Sequence, residues 1–249
     1  DADPGQACAA RVVAGTLDGR LLALDAGTGK PCEEFGDGGE VDLKAALGDV
    51  GPAEYAMTSP PLLVNDRIVT GAHVADLRRG GVPSGVIRAF DVRTGALLWD
   101  WEAVLPEKRL ADAYTPGSPN AWAPLSADAE RDLVFIPTGN PAGDYYGGGR
   151  DGLDAFGSSV VALDSNTGER VWHYQTVHND IWDYDVPSQP VLFDFPGPEG
   201  PIPALVQATK MGFLFVLNRE TGEPLFPVEE RAAPRGGPAP EAVSPTQPW

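Results

Sequence analysis

Short apolar runs of four to six residues, broken by Asp, Asn, Gly and Pro, alternate along the whole chain, and no stretch shows helical periodicity. One pattern recurs four times: Leu21-Leu-Ala-Leu-Asp-Ala-Gly-Thr-Gly-Lys, Ile87-Arg-Ala-Phe-Asp-Val-Arg-Thr-Gly-Ala, Val160-Val-Ala-Leu-Asp-Ser-Asn-Thr-Gly-Glu and Leu214-Phe-Val-Leu-Asn-Arg-Glu-Thr-Gly-Glu. Each copy predicts a strand, a tight turn and a second strand. Asp25, Asp91, Asp164 and Asn218 can accept hydrogen bonds from the backbone of their own turn, and Gly29, Gly95, Gly168 and Gly222 can take the positive φ that reverses the chain. Eight residues after the Asp or Asn stands Trp99, Trp172 or Phe226, expected to wedge against the neighbouring unit; the first copy has Glu33 there.

The turn anchors are spaced 66, 73 and 54 residues apart, so the repeated sheet units carry insertions of variable length. Repeats on this scale mean a propeller or a solenoid, and strand-turn content without helices favours an all-β propeller. Further strands are predicted at Pro61-Leu-Leu-Val and Arg67-Ile-Val-Thr-Gly, joined by Asn65-Asp66, at Leu133-Val-Phe-Ile-Pro, and at Ala204-Leu-Val-Gln-Ala-Thr. They assemble into about four blades, with 103–121, 139–158 and 228–249 as insertions on a loop face, where binding chemistry usually sits.

Composition agrees, with 30 Gly and 25 Pro among 249 residues and 42% apolar residues. The net charge of −18 repels phosphate backbones and anionic lipid headgroups, which argues against nucleic-acid binding. No apolar run approaches the roughly 20 residues of a membrane span. The chain opens at Asp1 in a polar stretch and ends in a Pro-rich tail, which reads as a piece of a larger precursor. Cys8 and Cys32 can form a disulfide in an oxidising compartment, and the three histidines show no metal-ligand spacing.

The hairpin repeat resembles the tryptophan-docking motif of quinoprotein dehydrogenases, whose eight blades surround pyrroloquinoline quinone (PQQ). Three further segments carry the resemblance to the membrane-bound glucose dehydrogenase branch: Ser118-Pro-Asn-Ala-Trp-Ala-Pro, Thr176-Val-His-Asn-Asp-Ile-Trp-Asp-Tyr-Asp-Val-Pro-Ser-Gln-Pro, and Ala208-Thr-Lys-Met-Gly. The resemblance runs through nearly the whole chain and implies about half of an eight-bladed ring, with 1–249 part of a single propeller domain.

It also implies roles. Asp183, after Trp182, would be the catalytic base; as plain acidic residues, Asp180, Asp183 and Asp185 would be loop caps. Lys210, 27 positions later, would place an ammonium near the quinone oxygens, where the family's alcohol dehydrogenases carry arginine. Trp122 would be the flat platform under the cofactor; its bland alternative is a core tryptophan, the role expected of Trp99 and Trp172. Asp76 and Asn140 match the ligands of a Ca²⁺ or Mg²⁺ beside the cofactor, and each would otherwise be a turn residue. Asp76 is shorter than the glutamate of the alcohol dehydrogenases. Thr58 aligns with a threonine that bonds a cofactor carboxylate. His73 falls where the alcohol dehydrogenases have a cofactor-contacting serine, and would otherwise be an ordinary loop histidine. The adjacent-cysteine disulfide of those enzymes is absent from this stretch.

The activity implied is oxidation of a sugar, polyol or cyclic polyhydroxy acid, with electrons passed to ubiquinone. The implied setting is the periplasm, with any inner-membrane anchor outside this chain. Two rivals remain at this level: a non-catalytic propeller scaffold of the outer-membrane assembly type, and a hydrolase or sugar-binding propeller using the acidic cluster.

Overall fold

The computed structural model describes residues 7–77, 81–109, 115–234 and 243–249. The opening Asp1–Gly5 stretch and parts of the predicted insertions at 103–121 and 228–249 lie outside the described residues. No α-helix occurs among the described residues, as expected.

Four antiparallel sheets follow one another along the chain. The first joins β1 (Arg11–Gly15), β2 (Arg20–Asp25) and β3 (Glu40–Asp42). A two-stranded pair, β4 (Tyr55–Ala56) with β7 (His73–Val74), flanks the second sheet, whose order is β5 (Leu62–Val64), β6 (Arg67–Thr70), β8 (Ile87–Asp91) and β9 (Leu97–Trp101). The third runs β10 (Ser126–Asp128), β11 (Leu133–Pro137), β12 (Ser159–Asp164), β13 (Arg170–Gln175). The fourth runs β14 (Val191–Gly197), β15 (Gly200–Ala208), β16 (Leu214–Asn218), and a hairpin of β17 (Glu230–Ala232) with β18 (Thr246–Pro248) follows. The sequence pattern missed β3, β4, β10 and β14, and read 228–249 as a loop-face insertion although β17 and β18 pair there. Of the two readings of His73, the loop histidine does not hold, since it pairs with Ala56 in β7. The outer sheets have three strands here, not four.

Sheets two to four meet through their first strands, with β5 beside β10 and β10 beside β14. That is the radial arrangement of propeller blades, innermost strands together. Period-2 alternation sorts each strand's side chains into two different cores. In β11, Val134 and Ile136 pack with Val69, Ile87 and Ala89 of the second sheet. Leu133 and Phe135 of the same strand pack with Leu205, Phe215 and Leu217 of the fourth. A strand buried on both faces has no polar side, and this is why β11 reads as an unbroken apolar run.

The predicted docking is present for Trp99 and Trp172 but not for Phe226. Asp91 Oδ1 accepts the amides of Arg93 and Thr94 at 3.1 and 2.7 Å, and the other copies repeat this turn. Trp99 donates its indole N–H to Ser165 O in the next blade's turn at 2.9 Å, and Trp172 donates to Arg219 O at 3.0 Å. Gly168 and Gly222 lie under those rings: an added Cβ would fall 2.7 and 2.6 Å from them. In the first copy, which has Glu33 at the docking position, the fully buried Phe35 fills the place against Gly95. Phe226 packs edge-on against Phe195 of its own sheet and is half exposed. Cys8 and Cys32 form the disulfide, both buried.

Candidate functional site

Blade topology decides where chemistry can gather. In an antiparallel four-strand meander, the turns between first and second and between third and fourth strands lie at one end. The second-to-third connections and the passages between blades lie at the other. The Thr-Gly hairpins occupy the first end. Every residue assigned a role lies on the second: Asp76 between β6 and β8, Asn140 between β11 and β12, Lys210 between β15 and β16, Trp122 and Asp183 in the passages before β10 and β14.

Three of them converge. The Lys210 ammonium donates to Asp183 Oδ1 at 3.0 Å and to the Asp183 carbonyl at 2.8 Å, and lies 3.5 Å from Asp185 Oδ2. That same Asp185 oxygen accepts the Trp122 indole N–H at 3.0 Å. Asp183 adopts φ 61°, a left-handed conformation that Asp tolerates better than most residues, and this turns its side chain toward Lys210 and Tyr145, whose hydroxyl donates to it at 3.3 Å. Asp180 is the loop cap of the three: its carboxylate accepts the amides of Trp182 and Tyr184 and the Ser158 hydroxyl, and so fixes the turn that carries Asp183. Asp183 and Asp185 instead bond across loops.

Trp122 is half-buried and stands outside the three apolar clusters, unlike Trp99 and Trp172. Its carbonyl accepts the hydroxyls of Thr58 at 3.1 Å and Ser59 at 2.6 Å. Thr58 therefore stands beside Trp122, with its proton committed to main chain. A cleft of about 560 Å³ is lined by Trp182, Tyr184, Met211, Phe213 and Trp249, which include chain neighbours of Asp183 and Lys210, but Asp183, Lys210 and Trp122 do not themselves line it.

Behind these residues lies an acidic pocket. Asp76 accepts the Asn120 amide at 2.7 Å. Burial, then the charge of Asp185, raises its carboxyl to about 6 against the stabilising Asn120 bond. Burial, with the charges of Asp76, Asp185 and Asp183, raises Asp144 to about 7, and Arg150 only partly offsets this. Burial pulls the Lys210 ammonium down, but its bond to Asp183 and the charge of Asp185 outweigh that and hold it above the usual lysine range.

A hard cation suits this donor set. Asn120 Oδ1 and Asp144 Oδ1 are buried without a hydrogen-bond partner, and the carboxylates crowd one another. The Ser158 hydroxyl is nearer Asp180, at 2.6 Å, than Asn140 Oδ1, at 3.1 Å, which leaves that amide oxygen a free lone pair. Among the described residues, no three acidic or histidine side chains stand at metal-ligand spacing, so these residues would hold a cation only with further donors. Sequence reasoning missed Asn120, Asp144, Tyr145 and the linking role of Asp185. Asn120 lies two residues before Trp122 and Asp185 two after Asp183, but spacing alone gave no signal of contact.

The family description "Glucose/ethanol/alcohol dehydrogenase, beta-propeller domain" of PQQ proteins matches residues 1–249. The chain is 47% identical to the glycerol dehydrogenase large subunit of Gluconobacter oxydans, over 98% of this chain and 34% of that protein. It is 40% identical to the quinoprotein glucose dehydrogenase of Escherichia coli, over 97% of this chain and 31% of that protein. Among solved structures, the quinohemoprotein alcohol dehydrogenase of Comamonas testosteroni superposes with TM-score 0.71 and 27% identity, covering 96% of this chain and 36% of that one. The chain thus spans about a third of the curated relatives it matches. The chain belongs to the PQQ-dependent glucose/ethanol/alcohol dehydrogenase β-propeller family.

Proposed function

We propose that the chain supplies about four blades of a single propeller domain that oxidises a sugar, polyol or cyclic polyhydroxy acid by hydride transfer to PQQ, with electrons passing to ubiquinone. The observation that carries this reading is the convergence of Asp183, Lys210 and Trp122, from three separate segments, linked through Asp185. When bound, PQQ supplies a two-electron carbonyl acceptor, and a Ca²⁺ or Mg²⁺ beside it would act as a Lewis acid, held by Asp76 and Asn140 together with further donors.

The chain's own residues supply the rest. Asp183 takes the proton of the substrate hydroxyl, a role suited to a carboxylate that is only partly solvated and is held by a lysine partner it can leave. Lys210 stabilises the negative charge that develops on the acceptor oxygen. Trp122 offers a flat ring for stacking, with its orientation fixed by Asp185 and its main chain held by Thr58 and Ser59.

A non-catalytic scaffold would need only the docking hairpins at the opposite end. It would gain nothing from buried, mutually repelling carboxylates, each of which weakens the fold. A periplasmic setting fits the buried Cys8–Cys32 disulfide. Among the described residues, no helix is long and apolar enough to cross a membrane, and an inner-membrane anchor would lie outside this chain.

The test is a titration of the full-length protein with PQQ and Ca²⁺, followed by artificial-dye reduction with glucose, glycerol and quinate as probes. Uptake of PQQ and dye reduction with at least one probe support the reading. A correctly folded full-length protein that takes up no PQQ overturns it.

A further inference from the structure

Asp185 lies in the same turn as Asp183 but does different work. Its residue is 8% exposed, and both carboxylate oxygens are engaged by other loops. Oδ1 accepts the backbone N–H of Asn140 at 2.7 Å. Oδ2 accepts the Trp122 indole N–H at 3.0 Å and lies 3.5 Å from the Lys210 ammonium. One buried charge thus ties together the passage before β10, the β11–β12 connection and the β15–β16 connection. Gly139 closes over it: a Cβ there would come within 3.0 Å of Asp185 Oδ1 and 3.5 Å of the Trp122 ring, so carboxylate and indole share a tight slot.

A charge-assisted hydrogen bond at one edge of a planar ring fixes the direction of that edge, and the tight slot at Gly139 limits rotation about it. An ammonium placed between two carboxylates keeps its position when one of them turns away. Both follow from a single side chain.

We propose that Asp185 is the positioning residue of the site, orienting the Trp122 ring and anchoring Lys210 so that Asp183 is released to accept a proton. The claim about Asp183 rests on the oxidation proposed above; the claim about the ring does not. Neither Asn nor Ala reproduces the arrangement. Asn keeps one acceptor for the Asn140 amide but turns an NH₂ toward two other donors, the indole and the ammonium.

The test uses Asp185→Asn and Trp122→Phe in the full-length protein, each with two readouts. The first is the near-UV circular dichroism of the apoprotein, which reports indole immobilisation without any cofactor. The Asp185→Asn difference spectrum is expected to reproduce most of the band lost in Trp122→Phe, with far-UV signal and melting cooperativity retained. The second is PQQ affinity by fluorescence titration with Ca²⁺ present, together with the split of turnover at saturating PQQ. Affinity is expected to weaken about tenfold or more, and kcat to fall by at least that factor while substrate KM changes less than about threefold.

An Asp185→Asn protein whose near-UV spectrum matches wild type overturns the proposal, as does one that binds PQQ and turns over normally. If wild type takes up no PQQ but Asp185→Asn still loses the Trp122 band, the ring-positioning role stands and the oxidation reading falls. Should Asp185→Asn fail to fold, Lys210→Met separates the two ties: an unchanged Trp122 band there assigns ring orientation to Asp185 alone, and a lost band overturns that assignment.

Discussion

The Lys210 ammonium sits 3.0 Å from the carboxylate of Asp183 and 2.8 Å from the carbonyl of the same residue, so it grips both the side chain and the left-handed turn that presents it. A pair about 30% exposed on each side contributes little to stability, about 0–1 kcal/mol. In the proposed reaction its value would lie in placing a positive charge where negative charge develops. Lys210→Met in the full-length enzyme is therefore expected to shift the melting temperature by only a few degrees while lowering dye-reduction kcat by about 10²-fold or more, in the range seen when a preorganised charge partner is removed. Comparable turnover in mutant and wild type would remove Lys210 from the chemistry.

Asp183→Asn is expected to keep the positive-φ turn, which Asn also tolerates, and to keep the Lys210 contact through its amide oxygen. PQQ uptake should persist and turnover should be abolished. Retained dye reduction would show that another group takes the proton.

The docking hairpins give a stability test far from the site. Gly168 stands at φ 74° with the Trp99 ring 2.7 Å from where a Cβ would be. Gly168→Ala meets both a backbone penalty of about 1–2 kcal/mol and overpacking of about 1–3 kcal/mol, so a loss of about 2–5 kcal/mol is expected. Trp99→Phe, which keeps a ring but removes the hydrogen bond to Ser165, should cost less. Urea unfolding of both variants checks the order, and a neutral Gly168→Ala would mean that the ring does not rest on that turn.

These two ends of the blade differed in how far the sequence exposed them. The hairpin end was legible because its chemistry is local: Asp91, Thr94 and Gly95 interact within one turn, and the partner ring stands at a fixed spacing of eight residues. Where spacing failed, as at Glu33, the structure used Phe35 instead, and nothing in the strand pattern signalled it. At the other end only the resemblance named Asp183, Lys210 and Trp122. Their contacts span 25 to 64 residues, and no local rule reports that Asp185 reaches Trp122 or that Asn120 reaches Asp76. The short strands β3 and β10, and β14 with its Pro and Gly, escaped for a related reason, since pairing with neighbours defines them more than their own residues do.

The disulfide gives a further measurable effect. Cys8 and Cys32 are 24 residues apart, and a loop of that size is worth about 3 kcal/mol by chain entropy. The Cys8 amide also donates to Asp25 Oδ2 at 2.8 Å, joining the link to the first turn. The double variant Cys8→Ser/Cys32→Ser is expected to unfold at lower urea concentration, and dithiothreitol should lower wild-type stability by a similar amount while leaving the variant unchanged. A dithiothreitol effect of equal size in both would assign the loss elsewhere.

The acidic pocket sets the pH dependence of the cation-free protein. Asp76 and Asp144 are raised from 3.8 to about 6 and about 7 on folding. Between roughly pH 4 and 7 the folded chain therefore binds more protons at these two groups than the unfolded chain, and stability must fall as pH rises through that window. The groups that face them, Asp183, Asp185 and Arg150, are already within those shifts. Carboxylates held low by hydrogen bonds, such as Asp25 and Asp91, act in the opposite sense and lose their contribution only near and below pH 4. With EDTA present, the melting temperature is expected to be higher near pH 5 than near pH 7.5, and Asp144→Asn should flatten that slope. A cation occupying the pocket competes with the same protons, so stabilisation by Ca²⁺ should grow from pH 6 to 8. A melting temperature that climbs steadily from pH 5 to 7.5 in EDTA, in wild type and Asp144→Asn alike, would show that these carboxylates are not held protonated by the fold.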